Sequence, residues 1–115
     1  NIETNNNPVT TPGFFYFIKL KPDAMTINRI VNITGKVQGV FYRGSVREES
    51  ERLGVNGEVK NMPDGSVLLI AEGEEEAVKA LIAWCYYGPP RAEVKEVIIK
   101  EGIIKDYKDF RVIRF

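Results

Sequence analysis

The stretch best suited to chemistry is Gly35-Lys36-Val37-Gln38-Gly39-Val40-Phe41-Tyr42-Arg43. Alternating apolar residues lead into it, and a helical pattern follows at once. Glycines at a strand-to-helix junction let successive backbone N–H groups converge on one point, and the helix N-terminus adds partial positive charge. That combination suits an anion. Arg43 closes the stretch, and its planar fork of donors matches two phosphate oxygens at once, as a lysine cannot. The pattern is neither a Walker A loop nor GxGxxG, so the residues alone indicate an anion site and no particular reaction. Lys36 and Lys60 would add positive potential nearby, although their strand positions read as solvated.

The absent residues narrow the chemistry. The 115-residue chain has no histidine, which excludes Ser-His-Asp and Cys-His catalysis and leaves no zinc site. Its one cysteine, Cys85, can form no intrachain disulfide and reads as a core thiol, so a cytoplasmic location is expected. Sixteen basic residues balance 16 acidic ones. Neither a nucleic acid nor a membrane is expected as a partner, and no apolar run approaches the roughly 18 residues of a membrane span. Asp64 and the run Glu74 to Glu76 read as turn and helix-dipole residues rather than a catalytic carboxylate pair. Asn32-Ile33-Thr34 matches a glycosylation sequon but falls in an expected central strand, and is taken as chance.

The elements that must position this loop are legible from periodicity. Val31 and Ile33 alternate with Asn32 and Thr34, which predicts a strand over 29–37. Val46, Ser50 and Leu53 fall at i, i+4 and i+7, which predicts a helix over 44–53 closed by Gly54. Gly44 at its start is expected to cost up to roughly 1 kcal/mol of helix stability. Residues 57–61 and 66–72 read as hairpin arms joined by Pro63-Asp64-Gly65. Ala77, Val78, Leu81, Trp84 and Cys85 form the stripe of a second helix, stopped by Gly88-Pro89-Pro90. Tyr86 and Tyr87, beside that stripe, are expected in the core. Segments 93–100 and 109–115 read as strands of uncertain face.

The order is β-α-β-β-α-β with a short extra C-terminal strand. It predicts an α+β, ferredoxin-like sandwich: an antiparallel sheet with two helices on one face. The fold hosts many functions and specifies none. Residues 1–24 are polar at first and then carry the aromatic run Phe14 to Leu20. They are expected to be a non-native or upstream tail, with the domain over 25–115. The aromatic run is expected to pair with an exposed strand edge, of a neighbouring chain for example.

GKVQGVFYR, then LGVNGEVKNMPDGSV, then GPPRAEV and a closing DFRVIRF together resemble the small, common-type acylphosphatases. The resemblance runs from about Ile27 to Phe115. It implies that the loop binds phosphate through backbone N–H groups across Gln38, Gly39, Val40, Phe41 and Tyr42, with Arg43 holding the anion. It also implies that Asn61, 18 residues after Arg43, positions the attacking water. On residue type alone Asn61 is a turn asparagine. Tyr42 stands where Phe is common in the family, and Ser50 where a small apolar residue is usual.

The implied substrate is a small acyl phosphate. Its leaving group is a carboxylate, whose conjugate acid has a pKa of about 4, so no general acid is needed. Phosphoryl transfer asks mainly for positioning and charge neutralisation, and the scheme needs no metal or cofactor. The competing reading is a non-catalytic module that binds phosphate, acyl phosphate or carbamoyl phosphate, as at the front of larger carbamoyl-transferring proteins. A chain ending at Phe115 favours the free enzyme. An RNA-binding module on this topology is disfavoured by the missing aromatic RNP motif and zero net charge.

Overall fold

The computed structural model describes residues 25–114, and the expectations for residues 1–24 lie outside them. Seven elements follow in the expected order: β1 (Thr26–Lys36), α1 (Tyr42–Leu53), β2 (Asn56–Asn61), β3 (Val67–Glu74), α2 (Glu75–Cys85), β4 (Glu93–Glu101) and β5 (Phe110–Ile113). They build a five-stranded sheet of order β4-β1-β3-β2-β5. β1 pairs antiparallel with both β3 and β4, and β3 pairs antiparallel with β2. β5 joins the far edge in parallel with β2, so the sheet is mixed rather than wholly antiparallel.

Strand alternation divides the two faces. Val31, Ile33, Val59, Val67, Leu69 and Ala71 are fully buried on the side covered by the helices. Ile30, Asn32, Leu68 and Ile70 lie between them and are only partly buried. α1 packs over β2 and β5, and α2 over β1 and β3. Burying a Val, Leu or Ile side chain is worth about 1.5–3 kcal/mol, so this layer is the main source of stability. No helix among the described residues is long and apolar enough to cross a membrane.

α1 begins at Tyr42, two residues before Gly44, because Tyr42 already joins its inner face with Val46, Ser50 and Leu53. Ser50 is tolerated there because its hydroxyl donates to Val46 O at 2.7 Å. Gly54 stops the helix at φ 78°, a conformation that favours glycine. In α2 the buried stripe is Ala77, Val78, Leu81, Ile82 and Cys85. Trp84 packs against its margin, half-buried. Tyr86 and Tyr87 are not core residues: they lie past the end of α2 and are 50% and 80% exposed.

Residues 102–109 must carry the chain from one sheet edge to the other. Glu72, in the middle strand, holds them there. Its buried carboxylate accepts hydrogen bonds from Asn28 Nδ2 at 3.0 Å, Lys105 N at 2.7 Å and Tyr107 N at 2.8 Å. Burial pushes this carboxyl upward. The N–H groups of Lys105, Tyr107 and Asp106 and the Asn28 amide outweigh that and hold it below the ordinary glutamate range. From this anchor the chain enters β5, where Gly57 N donates to Asp109 O at 2.9 Å.

Candidate active site

The loop between β1 and α1 is pinned at two points. Val37 and Val40 are buried in the core, and Gly39 arches between them at φ 74°. Phe41 is also left-handed, at φ 65° and ψ 31°. Left-handed residues at Gly39 and Phe41 curl the loop in the manner of an anion-binding nest. Among the described residues, the N–H groups of Gln38 to Gly44 donate to no backbone carbonyl outside the helix. Those of Tyr42 to Gly44 belong to the first turn of α1, where helix geometry supplies no partner.

Gln38 stabilises this shape with its side chain. Its Nε2 donates to Met62 O and to Ser66 O, both at 2.9 Å, and so ties the loop to the hairpin beside Asn61. The hairpin is itself set by Asp64 Oδ1, which accepts from Ser66 N at 2.9 Å and Ser66 Oγ at 2.6 Å. Tyr42 anchors the start of the helix. Its hydroxyl donates to Cys85 O at 2.6 Å, and its ring lies 5.8 Å from that of Trp84. Burial, reinforced by Cys85, pushes the Tyr42 phenol far above its ordinary range, and burial lifts the Cys85 thiol to about 12. Both stay neutral at pH 7, so neither serves as base or nucleophile.

Arg43, in the first turn of α1, and Asn61, the last residue of β2, line one cavity of about 120 Å³. Gly39, Phe41 and Tyr42 line it with them, as do Val37, Gly44 and Arg114. Arg43 Nη1 donates to Ile113 O at 3.4 Å, a long bond that aims the guanidinium and engages one of its five donors. Asn61 Oδ1 is buried and has no hydrogen-bond partner among the described residues. An unpaired buried acceptor costs about 1–3 kcal/mol, a cost relieved when a bound molecule donates to it. Among the described residues the lining includes two arginines and no carboxylate side chain, so the cavity favours an anion.

The side chains of Gln38 and Val40 are not part of this lining: one braces the loop and the other fills the core, so each can offer only its backbone. Lys36 and Lys60 also lie outside it. Arg114 is the lining residue that sequence reading missed. Its signal is the parallel register: Lys60 pairs with Ile113, and the residues that follow them, Asn61 and Arg114, line the same cavity. Gly44 has a role that helix propensity hid. A Cβ there would collide with the Phe41 ring, so glycine is what lets that ring lie across the first turn.

Comparison with known proteins names the family. The acylphosphatase family model matches residues 29–112. The chain belongs to the acylphosphatase family. An acylphosphatase of Marinobacter nauticus is 48% identical over 89 residues, covering 76% of this chain and 97% of that protein. The acylphosphatase structure from Coxiella burnetii superimposes with a TM-score of 0.74 at 44% identity, over 76% of this chain and 93% of the other. Full-length HypF in its phosphate- and nucleotide-bound form superimposes with a TM-score of 0.76 at 29% identity, over 82% of this chain and 12% of HypF. In this acylphosphatase the loop, Arg43 and Asn61 thus come from three successive pieces of chain that meet at one end of the sheet.

Proposed function

We propose that the chain hydrolyses acyl phosphates to a carboxylate and inorganic phosphate in the cavity lined by Arg43 and Asn61. The observation that carries this reading is their shared cavity, with a buried Asn61 Oδ1 that no group among the described residues satisfies. The phosphoryl oxygens take hydrogen bonds from the loop N–H groups across Gln38 to Tyr42 and from Arg43, which neutralise charge where it gathers in the transition state. A water donates one hydrogen to Asn61 Oδ1 and is thereby oriented toward phosphorus. As its oxygen bonds to phosphorus, the bond from phosphorus to the acyl oxygen breaks. The electron pair leaves with the carboxylate, and the water's proton passes to a phosphate oxygen. No step needs a side-chain acid or base, which suits a histidine-free chain. The one cysteine is buried and free, which fits a reducing compartment such as the cytoplasm.

Hydrolysis of benzoyl phosphate by wild type, Arg43→Ala and Asn61→Ala tests the scheme, with inorganic phosphate as a competing ligand. Arg43→Ala should lose phosphate affinity and rate together, with kcat/KM down by roughly 10³-fold. Asn61→Ala should keep phosphate affinity within about threefold and lose kcat by roughly 10²-fold or more. A wild type that binds phosphate without turnover would favour a binding module. Full activity in Arg43→Ala would sink the mechanism.

A further inference from the structure

Phe41 is a misfit by every structural criterion except its place at the cavity. Its backbone is left-handed, where Gly or Asn is at ease and an aromatic residue is strained. The residue is 65% exposed, so packing does not require its ring. The neighbour that would clash with the ring is nonetheless a glycine: any side chain at residue 44 would displace the ring from the first turn of α1. Of the apolar side chains lining the cavity among the described residues, Val37 and Tyr42 are buried, which leaves Phe41 as the one that reaches solvent at the rim.

An acyl phosphate has two ends. The cavity, at about 120 Å³, is well below the roughly 300 Å³ at which pockets for drug-sized ligands begin. It suits the phosphoryl group and its water, so the substituent on the acyl carbon must project past the rim. We infer that the exposed Phe41 ring is the acyl-group subsite of this enzyme, and that it selects acyl phosphates with aromatic or bulky apolar acyl groups over acetyl phosphate. This rests on the acyl phosphate reading above. The loop backbone holds the phosphate whatever the residue 41 side chain, and the ring discriminates among the groups attached to it. Offset or edge-on packing of a ring against a substrate ring is the interaction expected.

The test is the ratio of kcat/KM for benzoyl phosphate to that for acetyl phosphate, in wild type, Phe41→Leu, Phe41→Ala and Gly44→Ala. The ratio should fall roughly tenfold in Phe41→Ala and by less in Phe41→Leu. It should also fall in Gly44→Ala, which keeps the ring but moves it. A ratio unchanged across all three variants, whatever their absolute rates, overturns the inference. Equal losses on both substrates, as from a damaged phosphate loop, overturn it in the same way. A wild type that turns over neither substrate overturns the hydrolase reading and this inference with it.

Discussion

Replacing Glu72 with glutamine tests the anchor that carries the chain to β5. The carboxylate accepts three hydrogen bonds, two at Oε1 and one at Oε2. Glutamine keeps one oxygen. Its best placement preserves the Asn28 and Lys105 bonds in neutral form and turns its NH₂ against the Tyr107 N–H. Bonds to a charged group contribute about 1.5–3 kcal/mol each and neutral ones about 0.5–1.5. One lost and two weakened bonds, partly offset by relief of burying a charge, give a net loss of about 2–3 kcal/mol. For a domain of this size that lowers Tm by roughly 10–20 °C. Urea unfolding followed by Trp84 fluorescence measures it. The effect should also depend on pH. A carboxyl held below its unfolded value of about 4.3 contributes fully above that pH, and its contribution is lost as pH falls through the folded value. The gap between wild type and variant should therefore be full at pH 7 and shrink below about pH 4. Carboxylates common to both proteins cancel in that difference. A gap below about 0.5 kcal/mol at pH 7, or one that does not narrow on acidification, would refute the reasoning.

Gly35→Ala should be among the most damaging single-methyl additions. Gly35 sits at the β1–β4 bulge with φ 122°, and a Cβ would meet the Glu93 carbonyl oxygen. A loss of about 3 kcal/mol or more, or failure to fold, is expected in thermal melts; melting within about 2 °C of wild type would contradict it. Tyr42→Phe removes the hydroxyl that donates to Cys85 O at 2.6 Å and should cost about 1–2 kcal/mol by urea unfolding. Gln38→Ala cuts both ties between the β1–α1 loop and the hairpin. It should weaken competitive inhibition by inorganic phosphate by about tenfold, for a loss of roughly 1–2 kcal/mol in stability. An unchanged inhibition constant would show that the loop holds its shape without the tie.

What could be read from the sequence was local. Val31 and Ile33 announce a half-buried strand because side chains alternate along it, and Val46, Ser50 and Leu53 announce a helix face because they recur each turn. Asp64 and Gly65 announce a turn because the turn chemistry lies within them. The loop and Arg43 were legible for the same reason, being contiguous. The features that escaped depend on contacts across long stretches of chain. β5 is four residues long and takes its direction from β2, half the domain away. Arg114 reaches the cavity only through that pairing. Gly44 looked like a weak helix residue because propensity scores its own backbone and not the ring of Phe41. Glu72 read as the polar end of a strand, since its donors lie on the incoming loop at Lys105 and Tyr107.

Arg43 and Asn61 sit on different elements, and the order of the sheet explains why they stay in register. Asn61 ends β2. β5 lies along β2 and offers the Ile113 carbonyl to Arg43 across from it. β5 therefore references the Arg43 cation against the strand that presents the Asn61 amide. Four residues of parallel pairing are a weak hold for that duty, because an edge strand has a partner on one side only. The shortfall is met outside β5: Glu72 fixes residues 105–107, Asn56 Nδ2 donates to Tyr107 O at 3.0 Å, and Gly57 N donates to Asp109 O. The loop itself is referenced to the same hairpin through Gln38. Each part of the candidate site is thus measured against the β2–β3 unit rather than against the other parts. The proposed mechanism would need this, because one built on positioning and charge neutralisation has no strong acid or base to compensate for a misplaced group.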